Sequence, residues 1–253
     1  MRISLCLFGL LGGMGGRDGA GGTIAPEEGY KYYKTAFFDH YNVDVFIHTW
    51  SKDYKDRILS VYKPQKALFE EKRAFEDVKL INYGIKDVAE LKNDIRYIPI
   101  VNSQPENELE SYLTSLARRS HSRWLSTKKV LELKDAYEQA HQFKYDFTFL
   151  GRFDMWFKEK FVFDEKRKDI ILASPRNFDK TYRDDEPLAI QDLWLFGSSE
   201  NISKVGKLYD SIYQYCIRPP YAIREHIKTK IGDEHLKYYL WQGLDYGLIR
   251  LLQ

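Results

Sequence analysis

Two cysteines, Cys6 and Cys216, are too few for a disulfide framework or a cysteine-built metal site, and a reducing compartment suits them best. Six scattered histidines, without ligand spacing, set aside a histidine-based zinc centre. No apolar run approaches the length of a bilayer span, so a membrane-crossing helix is not expected. Neither sign of charge is in excess. Thirty-nine basic against thirty-seven acidic residues leave +2, which argues against a protein that coats nucleic acid by neutralising phosphates. Repeats and low-complexity tracts are missing too, which removes solenoid and disordered readings.

What remains is the composition of an ordinary folded chain, 43% hydrophobic and 30% charged, and 253 residues suit one large domain. Aromatic residues reach 15%, with nineteen Tyr and five Trp. Most should fill the core, while some suit stacking on sugar rings or bases. The N-terminal run RISLCLFGLLGG superficially resembles a secretion signal. It has no A-x-A-like cleavage site and its glycines arrive at once, so it reads better as a buried first strand over residues 3–11.

The strand feeds a loop, GGMGGRDGAGG, with seven glycines in residues 12–22. A helix should start at Pro26, followed by a second buried strand, VDVFIHTW, over residues 43–50, with Ser51 capping the next helix. Short strands are expected at residues 66–69 and 79–83. Residues 106–142 read as two helices with a bend near Ser120. Further strands are expected at 145–157, 169–174 and 189–198, with helices at 201–216 and 235–252. This alternation predicts a single α/β, Rossmann-like domain with a mainly parallel sheet covered on both faces. Ligands then bind beyond the carboxyl ends of the strands, at the glycine loop, at His48-Thr49-Trp50 and at GRFD, residues 151–154.

Each of these places carries candidate chemistry. Phe8, Gly9, Gly12 and Gly13 bring backbone close to a phosphate or ribose, and Arg17 adds a cation, although neither a Walker nor a dinucleotide fingerprint is present. His48 and Trp50 are placed to contact or stack on a nucleotide. Asp154, just past a buried strand, is where a nucleoside-diphosphate enzyme would hold Mg²⁺ or Mn²⁺, and Arg152 either pairs with phosphate or orients that carboxylate. On the central helix Arg119, Arg123 and Lys128 can grip a leaving diphosphate. Asp192, expected inside a strand between apolar neighbours, needs a partner or a catalytic task. Asp185, on the charged loop 175–187, is the second candidate base.

RISLCLFGLLGG, DVFIHTWS, SRWLSTKK, LGRFD and QDLWLFGSSENISKVGKLYD, in that order, resemble GT-A-type glycosyltransferases of viral and bacterial surface-polysaccharide synthesis. The resemblance implies a nucleotide-sugar-binding half over about residues 1–150 and a metal and acceptor half over about 151–253. It also implies a UDP- or GDP-sugar donor, a glycan or glycoconjugate acceptor, and a cytoplasmic location, the host's if the source is a virus. The second Asp of that family's metal-binding D-x-D falls on Asp154 and the first on Arg152. Either Asp154 holds Mn²⁺ or Mg²⁺ alone, or cations such as Arg152 take the metal's place. Direct displacement with Asp192 or Asp185 as base implies inversion, with retention left open, as is the oligomeric state. The rival readings are a methyltransferase or nucleotidyltransferase, and a non-catalytic carbohydrate-binding module.

Overall fold

The computed structural model describes residues 1–14, 22–175, 189–240 and 242–251. Its strands and helices follow as β1 (Arg2–Gly9), α1 (Pro26–Tyr33), β2 (Asn42–Thr49), α2 (Lys55–Tyr62), β3 (Lys66–Phe69), α3 (Ile98–Val101), α4 (Glu106–Ala140) and β4 (Phe147–Arg152). After these come β5 (Met155–Phe157), β6 (Ile171–Ala173), β7 (Trp194–Ser198), α5 (Ser199–Gly206), α6 (Pro219–Lys230), β8 (Leu236–Tyr238) and β9 (Tyr246–Leu248).

Side chains alternate along a strand, and here the alternation builds two cores. Ile3, Leu5 and Leu7 of β1 meet Tyr33 and Phe37 on one face of the sheet. Cys6 and Phe8 meet Trp124, Val130 and Leu131 of α4 on the other. The same parity runs into the neighbours, because Leu5 pairs with Val45 and Phe149, and Phe8 with His48 and Arg152. A mostly parallel α/β sheet results, with helices on both sides. Its order is β3-β2-β1-β4-β7-β6-β8. The β1–β2, β1–β4, β2–β3 and β6–β8 pairs are parallel, and β7 runs antiparallel to β4 and β6. Strand order reverses between β1 and β4, which opens a crevice at their carboxyl ends. No helix among the described residues is long and apolar enough to cross a membrane.

Several expected elements differ. Residues 106–140 form one 35-residue helix without a bend at Ser120, since no Gly or Pro interrupts it and Ser120 is itself buried in the packing. The strand expected over 145–157 stops at Arg152. Phe153 and Asp154 turn the chain, and β5 pairs with β9 in a separate two-stranded sheet. Residues 80–83 make a 3₁₀ turn ended by left-handed Gly84 rather than a strand. The strand expected from 189 begins at Trp194, so Asp192 lies in a bend before it. The helix expected at 201–216 is α5, then a 3₁₀ segment broken at Ser211. The helix expected at 235–252 is instead β8, a turn with left-handed Gly243, and β9. The true helix, α6, opens on Pro219-Pro220, a pair that suits a first helical turn. Ser51 does not cap its helix, because its hydroxyl accepts the Leu11 N–H at 3.1 Å.

The length of α4 lets one helix serve two cores. Its carboxyl half lies on the sheet, while its amino half projects past the carboxyl ends of the strands. There Leu109, Leu113 and Ala117 pack with Phe75, Tyr97, Ile217 and Tyr221 in a third core. That third core walls the crevice.

Candidate functional site

The crevice at the β1/β4 switch is a cleft of about 640 Å³, a size usual for small-molecule sites. Its inner end is the strand edge: Phe8 and Gly9 from β1, Gly12 and Gly13 from the following loop, Arg152 from β4, and Asp192 and Leu193 from the bend before β7. One face of α4 supplies the long wall, through Tyr112, Ser115, Arg119, Ser122 and Arg123, spaced three and four apart. Trp50 and Phe75 close the flank, their rings edge to face at 6.5 Å.

Charge is distributed unevenly over this surface. Lys72, Arg73, Arg118, Arg119, Arg123, Arg152, Arg218 and Arg250 line the cleft, and Asp192 is the one carboxylate among its described lining residues. Cations focused in a concave wall attract anions over several ångströms beyond contact.

Arg123 is nearly buried at the inner end. Its side chain is 9% exposed and stacks on the Phe8 ring at 3.6 Å and on Trp124 at 4.4 Å. Its Nη2 donates to the Asp192 carbonyl at 2.6 Å, and Asp192 Oδ2 lies 3.5 Å from its Nε. Burial pushes this guanidinium down from its ordinary pKa, opposed by the Asp192 charge. Arg152 grips Asp154 with two bonds of 2.7 Å, Nε to Oδ1 and Nη2 to Oδ2. Burial works against the charge on Arg152, but the Asp154 carboxylate outweighs it and holds the pKa above normal.

This pair decides how Asp154 relates to a metal. Its side chain is wholly buried, it does not line the cleft, and each oxygen already accepts a guanidinium N–H. Among the described residues no group of three or more His, Cys, Asp or Glu is disposed to hold an ion. Divalent cations need several oxygen ligands, and these residues do not fit one. Asp154 is therefore a buried counter-ion with Gly12 directly against it.

His48 does not reach the cleft either. It is fully buried between two partners, with the Ser126 hydroxyl 2.6 Å from Nδ1 and Glu70 Oε2 2.7 Å from Nε2. A carboxylate beside Nε2 selects the tautomer whose Nε2–H donates to Glu70 and whose Nδ1 accepts from Ser126. Ser126 in turn accepts the Gly9 N–H at 2.8 Å. The geometry has the order of a Ser-His-Glu triad, yet the hydroxyl is buried and already engaged by Gly9, so its effect is to fix the end of β1. Lys129 also pairs with Glu70. Burial lowers the His48 pKa, with Glu70 opposing.

Of the residues the sequence singled out, Phe8, Gly9, Gly12, Gly13, Trp50, Arg119, Arg123, Arg152 and Asp192 gather at the cleft. Lys128 does not: it pairs with Asp210, lies 3.7 Å from Glu132, and faces away because the helix turns it off the arginine stripe. Arg17 and Asp185 lie outside the described residues. Sequence reasoning missed Lys72, Arg73, Arg118, Arg218 and Arg250. The spacing 112, 115, 119 and 122/123 on an unbroken helix was the signal for the wall; Arg73 and Arg218 arrive from separate segments and had none. No protein-family model matches the chain, and no curated protein matches it either.

Proposed function

We propose that this protein is a glycosyltransferase of GT-A type that binds a nucleotide-sugar at the inner end of the cleft and passes the sugar to an acceptor glycan. The observation that carries this is the concentration of guanidinium groups, against a single carboxylate among the described lining residues, in the crevice where strand order reverses. A diphosphate is the ligand group that such a surface suits. The left-handed Gly9 has open space where a side chain would stand and leaves backbone open for close approach, and Trp50 with Phe75 offers aromatic surface for a base.

In this reading Arg123 and Arg152 face the diphosphate and offset the charge that develops as it leaves. Asp192, with its side chain 21% exposed, takes the proton from the acceptor hydroxyl. The acceptor oxygen forms the new bond at the anomeric carbon, the bond to the diphosphate breaks, and the diphosphate departs with the electron pair. Guanidinium groups thus do the work that the sequence resemblance gives to Mn²⁺ or Mg²⁺ at Asp154.

A thermal-shift panel of UDP, GDP, CDP and their sugars, at low salt, tests this, because a ligand of the native state raises the melting temperature by mass action. One nucleotide should raise it without added metal, unchanged by EDTA or Mn²⁺. Asp192→Asn should keep that shift and lose about 10²- to 10⁴-fold in transfer. Absence of a shift with every nucleotide would sink the proposal.

A further inference from the structure

The cleft holds more positive charge than a nucleotide diphosphate neutralises, and the surplus lies at its outer end. From Arg123 to Tyr112 the wall of α4 runs eleven residues, about 16 Å along the helix axis. Arg119 stands one turn outward from Arg123, with Arg118 beside it, and Arg73 reaches the same cleft from the segment after β3. None of the three has a carboxylate partner among the described residues: Arg73 stacks on Phe75 at 5.0 Å, Arg118 makes one long 3.5 Å bond to the Glu76 carbonyl, and Arg119 lies over Tyr112 at 5.7 Å. The Nε and Nη2 of Arg119 and the Nε of Arg118 are buried without any hydrogen-bond partner. Buried donors are normally satisfied, and orphaned ones on a charged group are costly. Two guanidinium groups with orphaned donors, and Arg73 with no carboxylate partner among the described residues, line the outer cleft together and suit an oxyanion.

Resting on the transfer reading above, we propose that the acceptor is an acidic sugar, whose phosphate or carboxylate group is held by Arg73, Arg118 and Arg119 at the outer end of the cleft. The diphosphate occupies the inner end at Arg123 and Arg152, so the two anions lie side by side along one wall. A neutral sugar would leave the outer arginine donors unmet, which makes the charge of the acceptor a specificity element.

Saturation-transfer NMR on the full chain, with and without UDP or GDP, would compare glucose 6-phosphate, glucuronate and glucose. Glucose 6-phosphate or glucuronate should bind and glucose should not. The stronger of the two acids tells whether phosphate or carboxylate is the recognised group. Nucleotide should not displace the acidic sugar. Arg119→Gln, and separately Arg73→Gln on a different segment, should weaken it at least tenfold while nucleotide binding stays. Equal binding of glucose, displacement by nucleotide, or unchanged affinity in both variants with nucleotide binding intact overturns the outer site. Loss of nucleotide binding alone, with acidic-sugar binding retained and sensitive to Arg119→Gln, overturns the transfer reading and supports the outer site.

Discussion

Gly9 and Gly12 offer a matched pair of substitutions. Both have left-handed backbone, φ of 90° and 94°, so alanine at either costs about 1–2 kcal/mol of strain. They differ in what the new methyl meets. At position 9 nothing lies within 4 Å. At position 12 the added carbon falls 2.6 Å from Asp154 Oδ2 and 2.8 Å from its Cβ, far inside contact distance. Asp154 must shift, and with it the two 2.7 Å bonds to Arg152. Loss of one hydrogen bond to a charged group costs about 1.5–3 kcal/mol. In a chain of this size about 1 kcal/mol moves the melting temperature by roughly 2–4 °C. Gly12→Ala should therefore melt about 3–12 °C below Gly9→Ala by differential scanning calorimetry. In the double variant Gly12→Ala/Asp154→Gly the two effects should couple, because the clash disappears with the side chain. Equal melting of Gly9→Ala and Gly12→Ala would refute the placement of Asp154 as a buried counter-ion against the loop.

Asp154→Ala leaves Arg152 without its partner and should cost about 2–4 kcal/mol in urea unfolding, below the full penalty for a buried pair because 29% of the Arg152 side chain is exposed; adding Arg152→Met should restore most of it. Ser126→Ala removes the acceptor of Gly9 N–H and the donor to His48, so stability should drop by about 1–3 kcal/mol and nucleotide affinity should fall as β1's end loosens. Burial pushes His121, packed against Phe75, Tyr83, Tyr209 and Tyr213, down to about 4. The unfolded chain takes up that proton near pH 6.5 and the folded one refuses it. Stability should therefore fall as pH drops from about 6.5 to about 4, by up to roughly 3 kcal/mol. His48 and His226, also lowered by burial, act in the same direction. A His121→Phe variant that keeps the full slope in pH-dependent denaturation would contradict this assignment.

The sheet's centre was legible because burial on both faces writes continuous apolar runs, as in residues 5–8 and 45–47. The carboxyl ends of those runs then located the crevice without any side-chain geometry. What misled was local. Asp192 looked like a strand residue because its neighbours Ile190, Leu193 and Trp194 are apolar, yet the ladder with β4 begins only at Trp194 and Arg123 of α4 holds the Asp192 carbonyl in a bend ahead of it. The aromatic and aliphatic residues after 235 looked helical by composition, while Gly243 and Gly247 favour the turn and the close pairing of β9 with Trp156. For Asp154, strand position says where the carboxylate lies but not that Arg152 donates to both its oxygens.

The unbroken course of α4 is what brings the cations together. A break at Ser120 would have split the stripe carrying Arg119 and Arg123 between two helices pointing different ways. In one rigid helix the same residues are anchored by Trp124, Val130 and Leu131 on the sheet and by Leu109, Leu113 and Ala117 in the third core. The arginines are therefore held by packing at both ends, and their mutual repulsion is opposed by apolar burial, with Asp192 beside Arg123. That arrangement keeps a run of cations facing open space. An anionic ligand is what it most favours, and acidic residues placed between those arginines would have given equal stability with no such preference.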